Sequence, residues 1–271
     1  MDLTEETFRA LARSSPWRWR SVHLVREVGG PVGEGSVEAW VRRPHLMRVL
    51  ADGEVHVVRK RPTQFARYGG ARPDELPTAA DVTPVRDTDG LVLVRPDSAV
   101  VGFDDPMWQS YDWVAMLDPV ELADGDPWRD LVSGEEVEPR EAEVEPYPQL
   151  DWPTSPPTAG TVLSDLRSHD RHGRETWWAR VVPTQAYEPR CSCCPLLPSE
   201  VAARLEYGSE DTPFVPTLEY PEAHEVALDV ETGICVQIRA AGGPAPGLVH
   251  DLRILAVDED YGDEFFAPHG P

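Results

Sequence analysis

Apolar and polar positions alternate over short stretches near both ends of the chain, and that alternation predicts antiparallel strands. WRWRSVHLVREV (17–28), GSVEAWVRR (35–43), HLMRVL (45–50) and EVHVVRK (54–60) follow one another closely, the last two joined by the turn pair Asp52-Gly53. Ahead of them, Thr4 is placed to cap a short helix whose Phe8, Leu11 and Ala12 share one side, and Pro16 closes it. Strands resume at GLVLV (90–94) and SAVVGF (98–103), paired through a turn at Pro96-Asp97. TWWARVVPTQAY (176–187), HEVALDV (224–230), GICVQIRA (233–240) and GLVHDLRILAV (247–257) complete the strand set, with Gly233 closing the turn that starts at Asp229.

Two stretches carry a helical period instead. DWVAMLDPVELADG (112–125) reads as two short pieces broken at Pro119, DPWRDLV (126–132) adds a third, and SEVAARLEYG (199–208) is a helix capped by Ser199. Residues 62–88 are poor in pattern, and 135–160 are acidic and Pro-rich with one edge strand near 136–147. The whole predicts a single α+β domain over residues 1–271, mainly antiparallel β. It is a strongly curved open sheet, an unclosed half-barrel, with an N-terminal helix, a helical insert over about 104–135 on the concave side, and an acidic connection over about 136–160.

Composition narrows the function classes. With 41% hydrophobic residues and 9 Trp, the 271-residue chain can bury a sizeable core. A net charge of −23 argues against nucleic acid or an anionic membrane as a partner. The charge is uneven: up to residue 68, Arg and Lys outnumber Asp and Glu, so the acidic excess lies beyond. Arg18, Arg20, Arg42, Arg43 and Arg48 read either as a solvated strand face or, with Arg18, Arg20 and Arg42 foremost, as a contact for an acidic partner. The opening MDLTEETF is acidic rather than apolar, and no run approaches the about 18 apolar residues of a membrane helix. The expectation is a cytoplasmic protein without membrane insertion.

A resemblance adds to this reading. Arg43-Pro44-His45-Leu46-Met47-Arg48, the Asp52-Gly53 turn, Asp229 to Gly233, and Phe265 with Phe266 occur in an order of helix, long strands, helical insert and strands. That order resembles the LolA/LppX/RseB-type lipoprotein-carrier fold. The resemblance implies a curved antiparallel sheet with helices across its mouth and a cavity for acyl chains or a partner's peptide. Carriers of that family work outside the cytoplasmic membrane and need an export signal, so the fold transfers more readily than the task.

Candidate chemistry is sparse. Trp17, Trp19, Trp40, Trp113 and Trp178 would line a greasy groove on a curled sheet, or simply fill the core. Cys191-Ser192-Cys193-Cys194 is the only dense set of soft ligands; a zinc reading would complete it with His169, His172 or Cys235. Its C-x-C-C spacing is not that of common zinc sites, and adjacent cysteines point apart in an extended chain, so a redox pair or reduced structural thiols compete with metal. His169-Asp170-Arg171-His172, Asp104-Asp105 and Glu135-Glu136 read as solvated turns. No phosphate loop, dinucleotide fingerprint or nucleophile elbow occurs. The leading expectation is therefore a noncatalytic binder of a hydrophobic ligand, an acyl chain or apolar peptide, with no cofactor. The alternatives are a regulatory interaction module using the basic strands, and a zinc or thiol-redox protein using the cysteines.

Overall fold

The computed structural model describes residues 1–28, 35–59, 77–96, 101–126, 158–208, 219–243 and 247–267. At the N-terminus, the Thr4 hydroxyl accepts from the Thr7 N–H at 3.2 Å and the Thr7 hydroxyl accepts from the Thr4 N–H at 2.8 Å. This reciprocal cap satisfies free backbone donors and starts helix α1 (Glu5–Ser14). Phe8, Leu11 and Ala12 are fully buried along it, the two larger side chains contributing roughly 1.5–3 kcal/mol each. Pro16 does not simply end the helix: it sits in a 3₁₀ turn at Ser15–Trp17, closed by the Arg18 N–H on the Ser15 carbonyl. Trp17 and Trp19 therefore precede the first strand, which begins only at Ser21, rather than belonging to it as the alternation predicts.

The strands are β1 (Ser21–Val28), β2 (Gly35–Arg42), β3 (Leu46–Ala51), β4 (Glu54–Arg59), β5 (Val85–Arg86), β6 (Val92–Val94), β7 (Thr161–Arg171), β8 (Arg174–Pro183), β9 (Ala223–Asp229), β10 (Cys235–Ala241) and β11 (Gly247–Val257). Nine of them form one antiparallel sheet in the order β4-β3-β2-β1-β11-β10-β9-β8-β7. Pairing of Leu24 with Ile254 and Arg26 with Leu252 joins the two halves of the chain through β1 and β11. Among the described residues β4 and β7 each pair on one side only, so the sheet is not a closed barrel. Asp52 and Gly53 take φ of 52° and 79°, the left-handed pair that a two-residue hairpin demands. Gly233 takes φ of 74°, and a Cβ there would lie 2.7 Å from the Leu11 carbonyl, so this turn abuts α1.

Several expectations are corrected. β6 pairs with β5, where the Asp87 carboxylate gathers the Asp89 and Leu91 N–H groups into a tight turn between them; the predicted SAVVGF strand lies partly outside the described residues. Gly102 instead bridges Thr78 in parallel, and residues 97–100 lie outside the described set. β7 lies outside the strands that the alternation predicts. Its TVLSDLRSHDR sequence has few apolar positions, as suits an edge strand, and its register shifts between Ser164 and Arg167, where Asp165 takes φ of 51°. His169, Asp170 and Arg171 end this strand, and the turn itself is His172-Gly173. DPWRDLV beyond Asp126 and the acidic connection up to residue 157 lie outside the described residues.

One face of the sheet meets the helices. Val22, Leu24, Ala39, Val41, Met47 and Val49 from the first strands share a continuous buried cluster with Phe8 and Leu11 of α1 and with Trp113, Met116 and Leu117 of α2 (Asp112–Leu117). Polar contacts tie the cover down. Arg43 grips Asp105 through two nitrogens at 2.8 and 2.7 Å, and Arg95 grips Asp118 through two at 2.8 Å. On the opposite face the C-terminal residues cross β2 to β4: Arg48 donates to the Phe265 carbonyl and Arg59 to that of Phe266. Helix α3 (Glu200–Tyr207) is capped by the Ser199 hydroxyl, which accepts from the Ala202 N–H at 3.3 Å. No helix among the described residues is long and apolar enough to cross a membrane.

Candidate functional site

The connection from β8 to α3 is held rigidly on both sides of its cysteines. Before them, fully buried Tyr187 donates its hydroxyl to Glu121, and Arg190 donates to Asp118 and, at 2.7 Å, to Asp104. After them, the Leu196 N–H donates to Glu121 at 3.3 Å and the Leu197 N–H to the Tyr187 hydroxyl at 3.1 Å, with both leucines in the core. Burial opposes the charge of Arg190, but Asp118, Tyr111 and Asp104 outweigh it and hold the guanidinium well above its ordinary value. Asp118, which burial alone would raise, is held below the ordinary aspartate value by Arg95 and Arg190.

Between these anchors the chain turns. The Cys194 N–H donates to the Cys191 carbonyl at 3.2 Å, and the sulfurs of Cys191, Cys193 and Cys194 all lie within 4.8 Å of one another. Cys191 and Cys193 Sγ are 2.9 Å apart, Cys193 and Cys194 Sγ 3.5 Å. Adjacent cysteines diverge only in an extended chain; the turn removes that objection. A tetrahedral thiolate centre with Zn–S of about 2.3 Å separates its sulfurs by about 3.8 Å, so the trio fits with adjustments of about 1 Å. Burial, and then its hydrogen bond with Cys193, pushes the Cys191 thiol up. That is the opposite of an activated nucleophile; a bound cation would reverse it by displacing the protons.

The other expected completions are elsewhere. Cys235 is fully buried in β10, its thiol directed at the Gln237 carbonyl and pushed far up by burial. His169 lies in β7 and His172 in the hairpin turn, and neither joins the three-thiol group. Closer to the cysteines is Glu206 of α3, whose carboxylate accepts from the Ser192 hydroxyl.

The tryptophans do not share one face. Trp19 and Trp113 are buried in the main core, each under a guanidinium: Arg43 at 3.4 Å and Arg26 at 5.1 Å from the ring centres. Trp17 packs edge-on against Phe103 at 5.5 Å. Trp40 stands on the opposite face of β2 from buried Ala39 and Val41, stacked on His23 at 4.5 Å. Trp178 is half-buried beneath Arg167. Cavities near the sheet include one of about 10 Å³ beside Arg171, Thr176 and Leu252, and a surface groove of about 480 Å³ between Val182, Glu200 and Tyr220.

Of the basic residues, Arg18 donates to the Val230 and Glu231 carbonyls, and Arg42 to the Tyr261 carbonyl and Asp263. Arg20 is exposed. Sequence reasoning missed Glu121 and Arg190. Glu121 is a fully buried carboxyl pushed up to about 7 by burial, its Oε1 without a hydrogen-bond partner. The one signal for it was an acidic residue flanked by Val120 and Leu122 in a helical stretch. No protein-family model matches the chain, and no curated protein matches its sequence.

Proposed function

We propose that the protein is a noncatalytic metal-binding protein whose turn at Cys191, Cys193 and Cys194 takes a soft ion with a filled d shell, zinc(II) or copper(I), as thiolates. The observation that carries this reading is the gathering of three sulfurs within 4.8 Å. The anchors at Tyr187, Arg190, Leu196 and Leu197 support it, since a turn fixed in advance loses little freedom on binding a metal. The exposure of Cys193 leaves an entry path. Elemental analysis of the intact chain, reduced and equilibrated with one equivalent of either ion, should give one ion per chain. A chain with all three cysteines changed to serine should give none. Equal retention by both would overturn the reading.

A second reading follows the resemblance: an open half-barrel of LolA/LppX/RseB type, one domain over 1–271, that holds an acyl chain or apolar peptide beneath its helical cover. One observation favours it. Strong curvature is supported by Arg171 at the end of β7, which reaches the Leu252 carbonyl of β11 at 2.7 Å although three strands separate the two in the sheet. Native mass spectrometry before and after delipidation tests it; a single unliganded mass under both conditions would count against a carrier.

A further inference from the structure

We infer that Glu206 supplies the fourth ligand of the cysteine turn, making it a Cys₃-carboxylate centre that selects zinc(II) over copper(I) and pins α3 to the loop. The inference rests on the metal-binding reading. Ser192 sits between two of the cysteines, and its hydroxyl donates to the Glu206 carboxylate, so an oxygen ligand is already tethered at the turn. Glu206 lies in the last turn of α3, whose capping Ser199 comes shortly after the buried Leu196 and Leu197. Loop and helix thus form one unit. The carboxylate stands outside the three-sulfur group, so the metal takes it when the Glu206 side chain turns from the serine hydroxyl toward the sulfurs. Zinc takes four ligands in a tetrahedron and accepts carboxylate oxygen beside thiolate. Copper(I), softer, is content with thiolates alone. Charge acts the same way. Three thiolates and a carboxylate leave a doubly negative centre around zinc(II) and a triply negative one around copper(I). The neighbouring Arg190 is already committed to Asp104 and Asp118.

Competition titrations of the intact, reduced chain with chromophoric chelators, run separately for zinc(II) and copper(I), test the assignment. Glu206→Gln should weaken zinc binding by about tenfold or more while leaving copper(I) affinity nearly unchanged. Ser192→Ala removes the competitor for the carboxylate and should leave zinc binding equal or tighter. In the cobalt(II)-substituted chain, Glu206→Gln should also change the visible ligand-field bands. Unchanged zinc affinity in Glu206→Gln, an equal loss for both ions, or a Ser192→Ala loss that matches Glu206→Gln would overturn the assignment, the last two by showing a merely structural bond. A wild-type chain that binds neither ion would bring down the metal-binding reading itself, and this assignment with it.

Discussion

Asp118→Asn probes the polar fastening of the helical cover. The side chain is wholly buried and accepts from both terminal nitrogens of Arg95 at 2.8 Å and from Arg190. The amide keeps the shape but removes the charge and turns one acceptor into a donor facing a guanidinium. Hydrogen bonds to charged groups contribute about 1.5–3 kcal/mol each, but they share one network and do not add. Arg190 also keeps Asp104, so the loss expected for breaking a buried pair, about 3–5 kcal/mol at pH 7, applies to the change as a whole. Urea unfolding followed by tryptophan fluorescence measures it. The folded-state value of Asp118 is depressed, so its contribution is complete above the ordinary aspartate range and disappears as pH falls through the lower folded value. Wild type and variant should therefore converge in acid. Asp263→Asn is the control: its partner is Arg42, its side chain is 88% exposed, and solvent screening should leave its loss far smaller than that of Asp118→Asn. A loss for Asp118→Asn no larger than the control at pH 7, or one undiminished well below pH 4, would refute the reasoning.

Glu121 is raised to about 7, so its stabilising contribution is full below the ordinary glutamate range and is lost as pH rises through about 7. Glu121→Gln should flatten that slope, by an amount on the order of 3 kcal/mol, read from urea midpoints between pH 4 and 8. Gly233→Ala combines a positive φ with a Cβ 2.7 Å from the Leu11 carbonyl; a loss of about 2 kcal/mol is expected from strain, and a thermal midpoint equal to wild type would contradict the close approach. Phe8→Ala, at a fully buried site, should cost about 3–5 kcal/mol, seen as a reduced urea midpoint with an unchanged slope.

The helix caps and most strands were legible because their causes are local. Thr4 and Ser199 meet backbone donors within one turn, and β10 and β11 follow turn glycines whose conformations are encoded beside them. The joining of β1 to β11 was not legible: no short-range pattern relates Leu24 to Ile254. β7 hid behind its polar composition. At the candidate site, the cysteine spacing was visible, but the proximity of the sulfurs depended on one N–H to carbonyl bond across the turn. Arg190 and Glu121 were illegible for a deeper reason. A charged residue is buried only when its partners arrive, and Asp104, Asp118 and Tyr187 lie far from them along the chain.

The kink in β7 bears on the behaviour of the protein in concentrated solution. Among the described residues β7 is an edge strand of eleven residues, and such an edge offers a second molecule a row of backbone groups along which to polymerise. The register shift at Ser164 to Arg167, with Asp165 in a left-handed conformation, splits that row into two short stretches that no single straight strand can match together. Arg167, Asp170 and Arg171 then set charges along the second stretch. The irregularity that concealed the strand is thus a guard against fibre growth along this edge of the described sheet.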